Sequence, residues 1–322
     1  MLYHAIYIFI AYVVDRLIGD PRKLVHPVVI IGKGISILES LIRKVFGKEK
    51  YLKAAGLLFP IVIVGGTYGI VAFLLYGVSL IHEWLAIALE IWLISTTVAT
   101  KGLGDAGMEV YRFLKNNDLD NARKSLGMIV GRDTGQLDES EISRGTIETV
   151  AENIVDAIIS PFFFALIGGA PLAMAYRAVN TLDSMVGYKN EQYQNLGWAS
   201  ARLDDLANYL PARLTAVMLL GACWLKRLSV SNAWRMIKRD ARLHPSPNSG
   251  FTEAGVAGAL GVQLGGTNYY QGIASHRAKM GEPTRRIEGD DIIKTVHVMR
   301  LTAFISVLVF AIISMLVHFL YS

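Results

Sequence analysis

The chain predicts a mainly α, polytopic integral membrane protein with cytoplasmic helical segments and with re-entrant or broken helices. Hydrophobic residues make up 52% of its 322 positions and mean hydropathy is +0.39. Charged residues are 18%, against about 25% in an average soluble domain. The apolar residues also gather into runs close to the twenty or so needed to cross a bilayer, where lipid offers the backbone no hydrogen-bond partners. Disorder and a coiled coil are excluded. The one cysteine, Cys223, lies in an apolar run, which excludes a disulfide scaffold and reads as a buried, inert thiol. Net charge is +5 with a pI near 9.1, and in so apolar a chain Lys and Arg orient the protein in a bilayer rather than bind nucleic acid.

Residues 1–14 are uncharged and run into Asp15; without a basic start or a small-residue cleavage site they read as a retained anchor. Residues 54–81 carry no charge, 84–100 only Glu90, and 301–322 none. Residues 158–176 are apolar but interrupted by Gly168-Gly169-Ala170-Pro171, and 207–225 are apolar except for Arg213. The turn His82-Glu83 has no Lys or Arg, whereas 15–53 carries nine, 101–153 seven and 226–300 twelve. The positive-inside rule places those three stretches in the cytoplasm. Four full spans are expected, up to six, with 158–176 and 207–225 as the re-entrant or broken elements. The whole chain reads as one membrane domain.

Two polar blocks lie between the spans, about 101–153 and 226–298. The first predicts helices over 106–115, 119–130 and 142–157, with Asp118 and Ser140 as N-caps of the second and third. In 231–243, Arg235, Lys238, Arg239 and Arg242 share one face, and Trp234, Ile237 and Ala241 another. That pattern suits an interfacial helix on anionic lipid or, more sharply, phosphate recognition. Gly102-Leu-Gly-Asp-Ala-Gly107 has the spacing of a dinucleotide fingerprint but follows an apolar run rather than a strand, so it reads as small residues at a membrane exit. Seven histidines show no ligand spacing, which argues against structural zinc.

Five segments are polar in ways folding alone does not require. The prolines of Asp20-Pro-Arg-Lys-Leu-Val-His26-Pro27 aim Asp20 and His26 off the first helix. Gly131-Arg132-Asp-Thr134 is followed by Arg144 and by Glu148, Glu152 and Asp156, spaced i, i+4, i+8 on one helix face. Like charges so placed each cost about 0.2–0.5 kcal/mol. A shared cation removes that cost, and Mg²⁺ typically binds one or two carboxylates plus substrate phosphates; an acidic stripe paired with Arg144 is the plainer account. Tyr176-Arg177-Ala-Val-Asn180-Thr-Leu-Asp183 with Lys189 comes next, then Arg202-Leu-Asp204-Asp205-Leu-Ala-Asn208 with Arg213. Ionisable groups at membrane depth are functional candidates, or else ion pairs that hold the bundle together. Last, His244-Pro-Ser-Pro-Asn248-Ser-Gly250 feeds a glycine-rich helix, read as running on to Gly266, whose one charge is Glu253.

Taken together and in order, DRLIGDPRKLVHPV, GRDT with ETVAENIVDAIISPFF, AYRAVNTLDSMVGYKN, GWASARLDDLANYLPARLT, and HPSPNSG with EAGVAGALGVQLGG resemble the CobD/CbiB family of cobalamin biosynthesis. The resemblance spans nearly the whole chain. It implies an integral membrane adenosylcobinamide-phosphate synthase, which joins adenosylcobyric acid to an amino-alcohol phosphate such as (R)-1-aminopropan-2-ol phosphate with ATP and Mg²⁺. Amide formation through an acyl phosphate needs cations on phosphoryl oxygens, a metal held by carboxylates, and a base. On that chemistry Glu148, Glu152 and Asp156 are assigned to Mg²⁺. Arg132, Lys189, Arg202 and Arg213 are assigned to phosphates, and Asn153, Asn180 and Asn248 to positioning the carboxylate. Asp183, Asp205 or His244 is the base. Because ATP is cytosolic, 177–206 should face inward, which is the reason for expecting broken elements on either side of it.

The expected partners are the corrinoid acid, the amino-alcohol phosphate and the lipid bilayer, with no nucleic acid. Self-association, or other corrinoid-pathway membrane proteins, are further candidates. Two rival readings are a membrane transporter, for which broken helices are natural, and a non-catalytic AmpE-like regulatory membrane protein. The polar blocks weigh against the first, and the many Asp, Asn and Arg in them against the second.

Overall fold

The computed structural model describes residues 2–19 and 26–321; Asp20 lies outside them. In chain order the helices are α1 (Leu2–Leu17), α2 (Pro27–Val45), α3 (Glu49–Ala55), α4 (Gly65–Ile81), α5 (Glu83–Thr96), α6 (Thr100–Lys115), α7 (Leu119–Gly127), α8 (Glu139–Ile154), α9 (Ser160–Val186), α10 (Trp198–Ala207), α11 (Tyr209–Leu225), α12 (Val230–Asp240) and α13 (Gly250–Leu260). A hairpin of β1 (Gln263–Tyr270) and β2 (Ile273–Gly281) precedes α14 (Asp290–Tyr321). Four helical stretches are long and apolar enough to cross a membrane: Glu49–Ile81, Glu83–Lys115, Glu139–Val186 and Asp290–Leu320. A fifth is counted if α10 and α11, bent by 42° at Asn208, form one broken span. The protein is therefore a multi-pass helical membrane protein. Helix α1 falls short of the expected anchor: its 16 residues reach about 24 Å at 1.5 Å each, against roughly 30 Å of hydrocarbon.

The chain divides into two compact units. The first comprises Met1–Ala99, Ser160–Asn208 and Val307–Ser322. Its centre is α9, which packs on α1, α2, α4, α5 and α10. Helix α1 presents Ala5, Ile8, Ala11 and Asp15 inward, a stripe at helical spacing. Helix α4 is apolar all round, and Ile70, Phe73 and Leu80 remain exposed, as a lipid-facing helix requires. The Gly168-Gly169 break falls where the sequence placed it: Gly169 has φ +62°, a conformation open to glycine at little cost, and Pro171 opens the second half. Glu90 of α5 explains itself here, because its Oε1 accepts from the Ala170 N–H at 3.3 Å and caps the new helix start. His26 caps α2, its Nδ1 accepting from Val28 N–H at 3.2 Å.

The second unit comprises Thr100–Ile159 and Tyr209–Ser306. Here α13 is central, buried along its length except at Phe251 and packed on α8, α11, α12 and both strands. Asp118 caps α7 as expected, but α8 starts three residues early, because Asp138 and Glu141 form a reciprocal capping box that displaces Ser140 from the cap. After Ile154 the helix widens into a π-helical turn, Val155–Ile159. The glycine-rich helix does not run on to Gly266. Gly261, at φ +67°, closes α13, and the chain turns back as an antiparallel hairpin whose two-residue turn, Gln271-Gly272, has φ of 51° and 78°.

The far end of β2 is tied to α12 by Asp240, whose Oδ2 accepts from Gly281 N–H at 2.7 Å. Arg239 donates to both oxygens of Asp240, at 2.6 and 2.9 Å. Burial pushes this carboxyl up, but those donors outweigh it and hold it below the ordinary 3.8. A depressed carboxyl stabilises the fold above 3.8, and that contribution is lost as pH falls below it. Thermal unfolding in detergent should therefore lose midpoint between pH 5 and 3 less steeply in Asp240→Asn than in the unsubstituted chain; parallel curves would show the contacts carry no linkage.

Candidate active site

The second unit holds Arg132, Glu148, Glu152, Asn153, Asp156, Arg213, His244 and Asn248 of the residues assigned roles from sequence. Glu148, 3% exposed, is enclosed by cations: Oε2 accepts from Arg132 Nη1 at 2.8 Å, and Oε1 from Arg144 Nη1 at 3.1 Å and Gly265 N–H at 2.7 Å. Arg132 and Arg144 also reach Asn268 Oδ1, at 2.6 and 3.2 Å, and Arg144 donates to Gly265 O at 2.7 Å. The network clamps β1 onto α8. It needs glycine at 145, where a Cβ would collide with the Arg132 guanidinium.

One turn further along α8, Glu152 and Asn153 line a polar cavity of about 150 Å³. Arg132, Glu148, Tyr270 and Arg277 complete its wall. A second, more apolar cavity of about 440 Å³ shares Arg132 and extends along Gln136, Leu137 and Tyr269. The Arg277 guanidinium has no hydrogen-bond partner among the described residues. Burial works against its charge, but Glu152, Glu253 and Glu148 outweigh that and hold its pKa above normal. The α8 helix gives way to the π-helical turn after Ile154, and Asp156 lies inside that turn.

His244 and Glu253 form a buried pair beside Glu152, their side chains 4% and 1% exposed. Their nearest atoms, Nε2 and Oε1, are 3.1 Å apart. Neither atom has an aligned hydrogen-bond partner among the described residues. Burial drives the Glu253 carboxyl above its ordinary range, and the charge of Glu152 adds to this. Burial lowers the His244 pKa, but the adjacent Glu253 more than offsets it. Among the described residues, the group of three whose ligand atoms all lie within 4.8 Å of one another is Glu152, His244 and Glu253, not the three carboxylates of the α8 stripe. Nearby, Arg213 Nη1 donates to Asn248 Oδ1 and to Tyr209 O, each at 2.8 Å, and its guanidinium stacks 3.6 Å from the Tyr209 ring centre.

The first unit holds the rest. Asn180 accepts from Arg177 at 3.2 Å. Asn180 and Asp183 are electrostatic neighbours of Asp204, which is buried and accepts from Asn208 at 3.0 Å. Asn208 in turn accepts from Ser160 at 2.6 Å and Tyr176 at 2.8 Å, tying α10 to α9. Arg202 pairs with Asp205 at 3.3 Å on an exposed face, and Lys189 is exposed in the loop after α9.

Glu253, Arg277 and Asn268 escaped the candidate set. Glu253 had a visible signal, being the one charge in a glycine-alanine helix; Arg277, on a strand read as part of a generic polar block, had none.

A multi-pass membrane fold carrying a buried, arginine-lined acidic site is the class of protein these observations define. The CobD/CbiB protein family model matches residues 8–299, and the chain belongs to that family. It is 49% identical over 290 residues to the cobalamin biosynthesis protein CbiB of Salmonella typhimurium strain LT2, covering 90% of this chain and 91% of that one. It is 45% identical to the cobalamin biosynthesis protein CobD of Photorhabdus laumondii, over 96% of this chain and 97% of the relative. The Clostridium perfringens CobD matches at 46% over 95% and 96%. No solved structure matches.

Replacing Glu148 by Gln leaves Arg132 and Arg144 buried without their anion. Losing one partner of a buried pair typically costs about 3–5 kcal/mol. Glu148→Gln should thus lower the detergent unfolding temperature and raise hydrogen exchange across Gln263–Gly281; unchanged exchange would remove the clamp.

Proposed function

We propose that this chain serves cobalamin biosynthesis as an ATP-dependent ligase, forming the amide between adenosylcobyric acid and an amino-alcohol phosphate. The observation that carries the reading is the meeting of Arg132, Glu152 and Asn153, from segments that mark the family, with Arg277 on one polar cavity. The substrate carboxylate attacks the terminal phosphorus of ATP, giving an acyl phosphate and ADP. The amine then attacks the acyl carbon, phosphate leaves with the C–O bond electrons, and the ammonium proton passes to a base.

Arg277 and Arg132 face the phosphoryl oxygens, where charge builds during transfer. Asn153 orients the carboxylate. Arg213, held by Asn248, offers a guanidinium to the phosphate of the amine substrate; Lys189 and Arg202 are the exposed cations of the first unit. Asp183, grouped with Asn180 and Asp204, and Asp205, engaged by Arg202, are the base candidates of the first unit. His244 suits that role poorly, since Nε2 is buried and turned toward Glu253. Of the three carboxylates, both Glu148 oxygens are occupied and Asp156 lies in the π-helical turn, so Mg²⁺ would rest on Glu152 and phosphate oxygens. When bound, it neutralises charge on the transferring phosphoryl group. The cytoplasmic facing of 177–206 belongs to the same proposal.

Purified protein with ATP, Mg²⁺, corrinoid acid and amino-alcohol phosphate should release ADP only when both co-substrates are present; release independent of either would defeat the ligase. Glu152→Gln should abolish turnover, and Arg277→Ala should raise KM for ATP by about tenfold or more, the loss of one charged contact. A cysteine at exposed Tyr188 should label from the cytoplasmic face, because the native Cys223 is buried and silent.

A further inference from the structure

The geometry points to a resident divalent-cation site formed by Glu152, His244 and Glu253, selective for a transition ion of the Mn²⁺, Fe²⁺, Co²⁺ or Zn²⁺ class over Mg²⁺. This goes beyond the ligase reading: the resident ion is a second one, sharing Glu152 with the Mg²⁺ that would arrive with nucleotide, and it rests on that reading only for its purpose. The first ground is distance. Donors each about 2.1 Å from one ion lie roughly 3–3.4 Å apart at tetrahedral or octahedral angles. Nε2 and Oε1 are 3.1 Å apart, and a ligand atom from each of Glu152, His244 and Glu253 lies within 4.8 Å of the other two.

The second ground is the buried pair itself. Glu253 is 1% exposed, yet its Oε1 and the facing Nε2 have no aligned hydrogen bond among the described residues. Such orphaned groups are costly and rare in native interiors; an ion between them would satisfy both. His244 Nδ1 lies 3.2 Å from Ser246 O, so a proton there donates to a backbone carbonyl and leaves Nε2 as the ligand atom, the usual support for a metal-bound histidine. Ser246 N–H at 3.0 Å from the same nitrogen is the competing arrangement, which an ion on Nε2 would displace.

Charge agrees. Arg132 and Arg144 are engaged by Glu148, so Arg277 is the guanidinium left beside Glu152 and Glu253. A divalent ion there would offset both carboxylates and leave a positive cavity edge, suited to a phosphate or carboxylate. The ion class follows from the nitrogen. Mg²⁺ prefers oxygen ligands in a near-ideal octahedron, whereas imidazole suits the later divalent ions.

The test uses the full-length protein in detergent, stripped with chelator and free of nucleotide and corrinoid, titrated with Mn²⁺ and read by pulsed electron paramagnetic resonance. Saturable binding of one Mn²⁺ per chain, with nitrogen hyperfine coupling and persistence in a large excess of Mg²⁺, is expected. Glu152→Gln, at a half-buried position that spares the interior, should weaken Mn²⁺ by at least about tenfold. Absent binding, bound Mn²⁺ without nitrogen coupling, ready displacement by Mg²⁺, or unchanged affinity in the variant would each overturn the site. Because no substrate is present, such a failure leaves the ligase untouched. Conversely, nitrogen-coupled Mn²⁺ in a chain that never turns over ATP sustains the site and removes the ligase.

Discussion

The buried carboxylate of Glu148 is the constraint on which the second unit depends. Two guanidiniums and a backbone N–H converge on it from three separate stretches of chain: the loop at Arg132, α8 itself, and β1. A charge so deep is tolerated only when fully paired. Satisfying it fixes the hairpin on the helix, and with the hairpin come Arg277 and Tyr270. The cavity wall is thus a by-product of solving an electrostatic problem. Glu148 serves the site by holding its frame, and this is why the adjacent Glu152, one turn on, is left to face a ligand.

Much of the architecture was legible in the sequence because lipid imposes blunt rules. Uncharged runs of the right length mark spans, and the Gly-Gly-Ala-Pro interruption marks the break in α9; the bend at Asn208 falls at the edge of 207–225, expected as the second broken element. The hairpin was not legible. Gly255 to Gly266 carries so many glycines that helix and turn look alike, and the β-signal sits in Tyr269, Tyr270 and the Gln271-Gly272 turn, short and flanked by polar residues. Helix boundaries moved for an equally local reason, since a capping box at Asp138 outcompetes a serine two residues later.

The candidate site shows the same division. Residue types were readable: acids, guanidiniums, amides and a histidine in a membrane protein had to be doing chemistry or pairing. Which did which was not, because pairing is a long-range fact. Spacing placed Glu148, Glu152 and Asp156 on one face, yet Glu148 meets two arginines and Asp156 falls in a widened turn that no periodicity announces. Glu253, by contrast, signalled itself by being the one charge in an otherwise small and apolar helix.

The Glu90 cap on the broken α9 bears on how the protein is made. Glu90 precedes Ala170 by 80 positions. A chain that enters the membrane from its amino end therefore delivers the acceptor well before the interrupted segment that requires it. The interruption arrives in the bilayer with its exposed amide already provided for, and the order of translation itself protects the weakest point of the longest helix in the first unit.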